Sequence, residues 1–186
     1  KTGAAVTTDS GFSILPRSSF ADCPQADIIC VPGGHGVRDA IADAQIVDFV
    51  RTQASAAQYI TSVCTGAFIL GAANLLHGKE ATCHWAYTHL LPMFGATHRA
   101  ARVVRDGNLV TAGGVTSGID FALELISDIA GEDVARTIQL ALEYDPAPLF
   151  SGGTPANAPD AILTNLRARV YEKAATEMES AIKKII

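Results

Sequence analysis

The stretch Tyr59-Ile60-Thr61-Ser62-Val63-Cys64-Thr65-Gly66-Ala67-Phe68-Ile69-Leu70 changes its period at the middle. Tyr59–Val63 has the apolar, β-branched composition of a strand buried on both faces. From Ala67 the apolar spacing is helical through Leu76, and His77-Gly78 ends the run. A cysteine therefore stands where a buried strand turns directly into a helix. Such a turn lifts its side chain out of the sheet and wants small residues two positions to either side. Ser62 and Gly66 occupy those positions, so glycine satisfies half of the pattern.

Outward from that turn, Asp27-Ile28-Ile29-Cys30-Val31 is a second continuous apolar run, stopped by Pro32-Gly33-Gly34. It reads as a central parallel strand. Asp43 is placed to cap a helix that carries Ile46, Val47, Phe49 and Val50 at helical spacing. Upstream, residues 3–7 and 11–15 alternate around Thr8-Asp9-Ser10 and predict a hairpin or two edge strands. Downstream, the pattern predicts a strand over 80–83, a helix over 85–94 and a hairpin over 102–112 that turns at Asp106-Gly107-Asn108. Helices over 116–130 and 132–144 follow. Residues 145–160 form a Pro/Gly-rich linker to a charged amphipathic helix over 161–186. Strands alternating with helices give an α/β layered sheet.

A chain of 186 residues with 48% hydrophobic content is long enough for one domain, 1–186, with its own core. The net charge of −5 and the scattered basic residues argue against nucleic acid or an anionic membrane as a partner. Apolar stretches stop short of the ~20 residues that span a bilayer, and no signal-peptide pattern opens the sequence. Cys23, Cys30, Cys64 and Cys83 match neither a C-x-x-C pair nor a disulfide scaffold. Together these features place the chain in a reducing compartment, the cytoplasm.

Cys64 is the foremost candidate nucleophile, because a sulfur at a helix N-terminus sits near unpaired N–H groups that favour the thiolate. A buried structural cysteine is the alternative, and pattern alone leaves both open. Cys23, Cys30 and Cys83 read as structural. Gly33 and Gly34 lie past the carboxyl end of a parallel strand, where open α/β sheets build sites and where glycine lets N–H groups approach a ligand. A tight turn explains them as well. Gly113 to Asp120 repeats the arrangement, with Thr116 or Ser117 as a helix cap. His84, at a strand end beside Trp85, can line the same crevice and pair with the cysteine, or be a structural histidine. His77, His89 and His98 read as surface or cap residues. No H-E-x-x-H, carboxylate cluster or G-x-G-x-x-G is present, which leaves metal and dinucleotide readings without support.

Taken together, Asp27 to Gly34, Ser62 to Leu76 with Gly78, Ala81-Thr82-Cys83-His84-Trp85, and Arg105 to Asn108 running into Gly113 to Asp120 resemble the ThiJ/PfpI superfamily. The blocks are most similar to its isocyanide hydratase branch. The resemblance implies a flavodoxin-like three-layer sandwich with a mostly parallel sheet, of the class I glutamine amidotransferase type, and a homodimer. It implies cofactor-independent hydration of a small isocyanide to an N-substituted formamide, with no metal. It makes Cys64 the nucleophile and Thr65 its hydrogen-bonding neighbour, with Gly33, Gly34, His84 and Val115 around the substrate. Protease-like members tend to carry His after the nucleophile, and Thr65 departs from them. His35 departs from the small polar residue usual after the Gly-Gly pair. The family's first strand and helix, and the acidic residue between them, find no match, so an N-terminal portion is expected to be missing.

Two other readings share these residues. The Cys-Thr-Gly and Thr-x-His-Trp blocks also resemble the sensing domains of AraC-type regulators, which continue into a basic helix-turn-helix region not found before Ile186. A glyoxalase or hydrolase of the same superfamily would keep the nucleophile and change the substrate.

Overall fold

A computed structural model describes residues 1–8 and 10–186. β1 (Val6–Thr7) and β2 (Ser13–Ile14) pair antiparallel, a shortened form of the expected hairpin. Asp9 of its turn lies outside the described residues. β3 (Ile28–Val31) leads through Pro32-Gly33-Gly34 into a short α1 (Val37–Ala40) and then α2 (Ala44–Ala54). The Asp43 carboxylate caps α2 as expected, accepting from the N–H groups of Gln45 and Ile46 at 3.1 and 3.4 Å. β4 (Tyr59–Val63) passes through a 3₁₀ turn, Cys64–Gly66, into α3 (Ala67–Ala72).

β5 (Glu80–Ala81), a 3₁₀ segment (Trp85–Phe94), β6 (Thr97–His98), β7 (Val103–Asp106) and β8 (Leu109–Ala112) come next. They are followed by α4 (Ser117–Ala130), α5 (Glu132–Ala141), α6 (Asp160–Leu166), a π-turn (Arg167–Tyr171) and α7 (Glu172–Ile182). Residues 85–94 depart from the expected α-helix: Pro92 sits inside the segment and has no N–H to donate. α3 stops short of Leu76, and Asn74 just beyond it adopts a positive φ of 61°. The expected terminal helix begins at Asp160, ends at Ile182 rather than 186, and is interrupted by the π-turn. α1 and β6, too short to leave a periodic signal, went unanticipated.

The main sheet runs β3-β4-β8-β7, with β3, β4 and β8 parallel and β7 antiparallel at the edge. On one face Ile29, Val31 and Ile60 pack with Phe68, Leu70, Leu90, Leu91 and, from the far end of the chain, Met178 and Ile182. On the other face a smaller cluster joins Val110 and Ala112 to Phe121 and Leu125 of α4. Helices thus cover both faces of a mostly parallel sheet, the flavodoxin-like sandwich anticipated above. All three parallel strands end at one edge, so the turns at Gly33, Cys64 and Gly113 meet where such sheets place their sites. Among the described residues no helix is long and apolar enough to cross a membrane.

Candidate active site

Cys64 adopts φ 61°, a left-handed conformation that costs a non-glycine residue roughly 1–2 kcal/mol. Its surroundings hold it there. The Cys64 N–H donates to the Gly113 carbonyl at 2.8 Å, tying the end of β4 to the end of β8. On the other side Gly33 presses against the turn: a Cβ added there would lie 2.7 Å from Cys64 Cβ and 2.8 Å from the Thr65 nitrogen. A Cβ on Gly66 would meet the Val31 carbonyl oxygen at 2.1 Å. The glycines packed around Cys64 are therefore demanded by the close approach of neighbouring main chain.

Thr65 is buried, and its Oγ1 accepts the Gly34 N–H at 3.1 Å. That amide, from a residue expected beside the substrate, is thus engaged by the threonine. The Thr65 hydroxyl proton has a second acceptor in the Gly34 carbonyl at 3.5 Å, a long contact that competes weakly with the sulfur. Burial pushes the Cys64 thiol above its ordinary pKa, while the Thr65 N–H and hydroxyl pull it down without reversing the shift. The expectation of a resting thiolate is corrected on this point, because desolvation outweighs the hydrogen bonds from Thr65. Cys83, almost fully buried, is pushed up much further by burial and by the nearby Cys64 sulfur.

His84 stands against Gly114, where an added Cβ would come within 3.3 Å of the imidazole Cδ2. Its Nδ1 accepts the Ala86 N–H at 3.3 Å, which puts the proton of the neutral ring on Nε2. Burial lowers its pKa, so the imidazole is neutral near pH 7. Gly33, Gly34, Cys64, Thr65 and His84 thus gather at one sheet edge. Val115 lies in the loop after Gly114 and is 82% exposed, and its carbonyl accepts the Gly118 N–H at 3.3 Å. His35 is exposed and engaged with a neighbour.

The loop after β8 is held differently from the cap expected there. The Thr116 side chain caps nothing and instead accepts from Arg102 at 3.1 Å, while the Ser117 hydroxyl donates back to the Gly114 carbonyl. Arg102 also pairs with Asp120, which accepts the Tyr144 hydroxyl at 2.8 Å. Sequence reasoning passed over this clamp, and over Tyr87 and Tyr171. Tyr87 shares the His84-Trp85 block and was findable there, its hydroxyl raised by burial, by Tyr171 and by Cys64. Tyr171 lies 84 positions further on and left no local signal.

The fold and this turn define a class: α/β proteins that carry a strained cysteine at the carboxyl edge of a parallel sheet, between a strand and a helix. The DJ-1/PfpI family description matches residues 1–128, and the chain belongs to that family. It is 54% identical over 164 residues to the isonitrile hydratase of Pseudomonas putida, spanning 88% of this chain and 72% of that protein. The crystal structure of a ThiJ/PfpI family protein from Pseudomonas syringae superimposes with a TM-score of 0.88 at 40% identity, covering 96% of this chain and 76% of that one. The HTH-type transcriptional regulator GbdR of Pseudomonas aeruginosa is 30% identical, covering 77% of this chain but 39% of the regulator.

Proposed function

We propose that this chain hydrates an isocyanide to an N-substituted formamide, with Cys64 as nucleophile. The observation that carries the reading is the 54% identity to isonitrile hydratase over most of the chain, against 30% to a regulator. The site geometry supports it. The Cys64 thiol keeps its proton at rest, since burial disfavours the thiolate. The sulfur adds to the terminal carbon of R–N≡C and the thiol proton ends on that carbon, giving the thioformimidate R–N=CH–S–Cys64. Water then adds to the C=N carbon and the C–S bond breaks. The sulfur regains a proton, and R–NH–CHO leaves. Every atom balances with water as the one co-reactant, and no electrons are exchanged.

In this scheme Thr65 hydrogen-bonds the sulfur as charge develops on it, and neutral His84 carries a donor proton on Nε2. Gly33 serves by staying small. Turnover of phenyl isocyanide to N-phenylformamide, followed by product chromatography, tests the reading. The parent chain forms the formamide, and Cys64→Ala loses at least roughly 10³-fold in kcat. Formamide production by Cys64→Ala at the parent rate would overturn the assignment.

A homodimer and a cytoplasmic setting complete the proposal. Ile182 is buried and Ile185 packs on the chain's own core, but Ile162, Leu166 and Val170 of the terminal helix stay exposed, as do Leu140, Leu142, Leu149 and Phe150. Apolar surface of this extent is what a second copy covers. All four cysteines are free, which suits a reducing compartment.

A further inference from the structure

Half-buried aromatic rings gather beside the nucleophile. The Tyr171 ring centroid lies 5.1 Å from His84, 5.0 Å from Trp85 and 6.1 Å from Tyr87, meeting the last two edge-on at 73° and 84°. His84 and Trp85 are themselves 5.5 Å apart. Tyr171 and His84, which also lies 5.8 Å from Tyr87, thus each touch all the other rings, and Tyr171 is the member that the terminal helix contributes. None of these rings is sealed away, whereas Phe68, Phe94 and Phe121 are buried in the core clusters. The cluster stands on the reactive side of the sheet: His84 abuts Gly114, next to the Gly113 carbonyl that holds the Cys64 N–H.

The terminal helix is built to deliver Tyr171. Met178 and Ile182 anchor α7 in the main core, and the helix opens into a π-turn about two turns before that anchor. Both ends of the π-turn serve the same cluster. Tyr171 closes it from inside, and the Arg167 guanidinium lies 5.6 Å over the Trp85 ring. Helices frequently accept a π-turn at functional sites.

We infer that Trp85, Tyr87 and Tyr171 form the subsite for the organic group of the isocyanide, and that Tyr171 sets a preference for ring-bearing over small alkyl groups. This rests on the hydratase reading above. The C, N and first atom of R are collinear in an isocyanide, so R extends rigidly from the carbon that Cys64 attacks and onto surrounding walls. Aromatic edges and faces bind a phenyl or cyclohexyl group through area and quadrupole, and gain little from a methyl.

The test is the ratio of kcat/KM for phenyl isocyanide to that for methyl isocyanide, taken within one preparation so that partial unfolding cancels. Tyr171→Ala lowers this ratio roughly tenfold or more, and Tyr171→Phe, which keeps the ring, stays within about twofold of the parent. An unchanged ratio in Tyr171→Ala, with both rates falling together, assigns Tyr171 to packing alone and overturns the inference. Trp85 is the only tryptophan of the chain and supplies a second, chemistry-free readout. N-phenylformamide saturably changes its fluorescence, and Tyr171→Ala weakens that binding. If the parent hydrates no isocyanide yet binds N-phenylformamide through Tyr171, the hydratase reading fails and the ring subsite stands. No fluorescence response up to millimolar N-phenylformamide overturns the subsite.

Discussion

Two crossovers at the same sheet edge are built in opposite ways. Where β4 turns into α3, the chain is locked: Cys64 sits at φ 61°, Gly66 packs against the Val31 carbonyl, and Gly33 closes the other side. Where β8 turns into α4, there is room. A Cβ on Gly113 would meet nothing nearer than 3.6 Å, Gly114 faces only the rim of an imidazole, and Val115 is mostly in solvent. The first crossover spends conformational energy to aim one atom, and the second supplies main-chain partners from a roomier loop held by Arg102 and Asp120. Rigidity is concentrated at the proposed nucleophile.

Substitutions at glycine and cysteine break this contrast by graded amounts. Gly66→Ala has the largest effect, because a main-chain oxygen 2.1 Å away has no rotamer by which to yield. It costs more than about 3 kcal/mol in urea denaturation, or prevents folding. Gly33→Ala comes next at about 1–3 kcal/mol, since the clash includes the Cys64 and Thr65 side chains as well as the Thr65 nitrogen. Its activity falls further than its stability, because the sulfur itself is displaced. Cys64→Gly reverses the sign: it removes the left-handed strain and raises stability by up to about 1 kcal/mol while abolishing turnover. A stability loss in Cys64→Gly would show that the turn is not strained. Gly114→Ala has the smallest effect, under about 0.5 kcal/mol, with His84 shifting by tenths of an ångström.

Proton linkage sharpens the same comparison. Cys64 and Cys83 ionise less readily in the folded chain than in the unfolded one. Above the ordinary thiol range, near 8.5, the folded state therefore holds more protons than the unfolded state, and stability falls as pH rises. His84, whose pKa is lowered by burial, acts at the other end: stability is lost as pH drops below about 6.5. Thermal melts from pH 5 to 10 trace both limbs. Iodoacetamide alkylates Cys64 more slowly at pH 8 than it does N-acetylcysteine. Faster alkylation would restore the thiolate expected from sequence.

What the sequence made legible was local. The β-branched run into Pro32-Gly33-Gly34 and the period change at Cys64 announced two parallel strands and the turn between strand and helix, because strand and helix periodicities are written in neighbouring residues. The Asp43 cap and the Gly107 turn were legible for the same reason. What was hidden depends on the third dimension. The direction of the Cys64 shift follows from burial that no spacing encodes. The Thr65–Gly34 bond and the Arg102–Asp120–Tyr144 clamp join residues far apart in the chain. The terminal helix was half legible: its amphipathic pattern is written in neighbouring residues, whereas the packing of Met178 and Ile182 into the chain's own core is not.

The π-turn at Arg167–Tyr171 has a bearing on how such a pocket changes over generations. A π-turn holds one residue more than the α-helical path between the same two ends requires. Losing a single codon there would restore a regular helix and swing the residues on one side by about 100° about the axis, turning an aromatic wall to the outside. Gaining one codon does the reverse. With α7 anchored beneath it, the terminal helix is a dial on which insertion and deletion, rather than substitution, reset what sits over the cysteine.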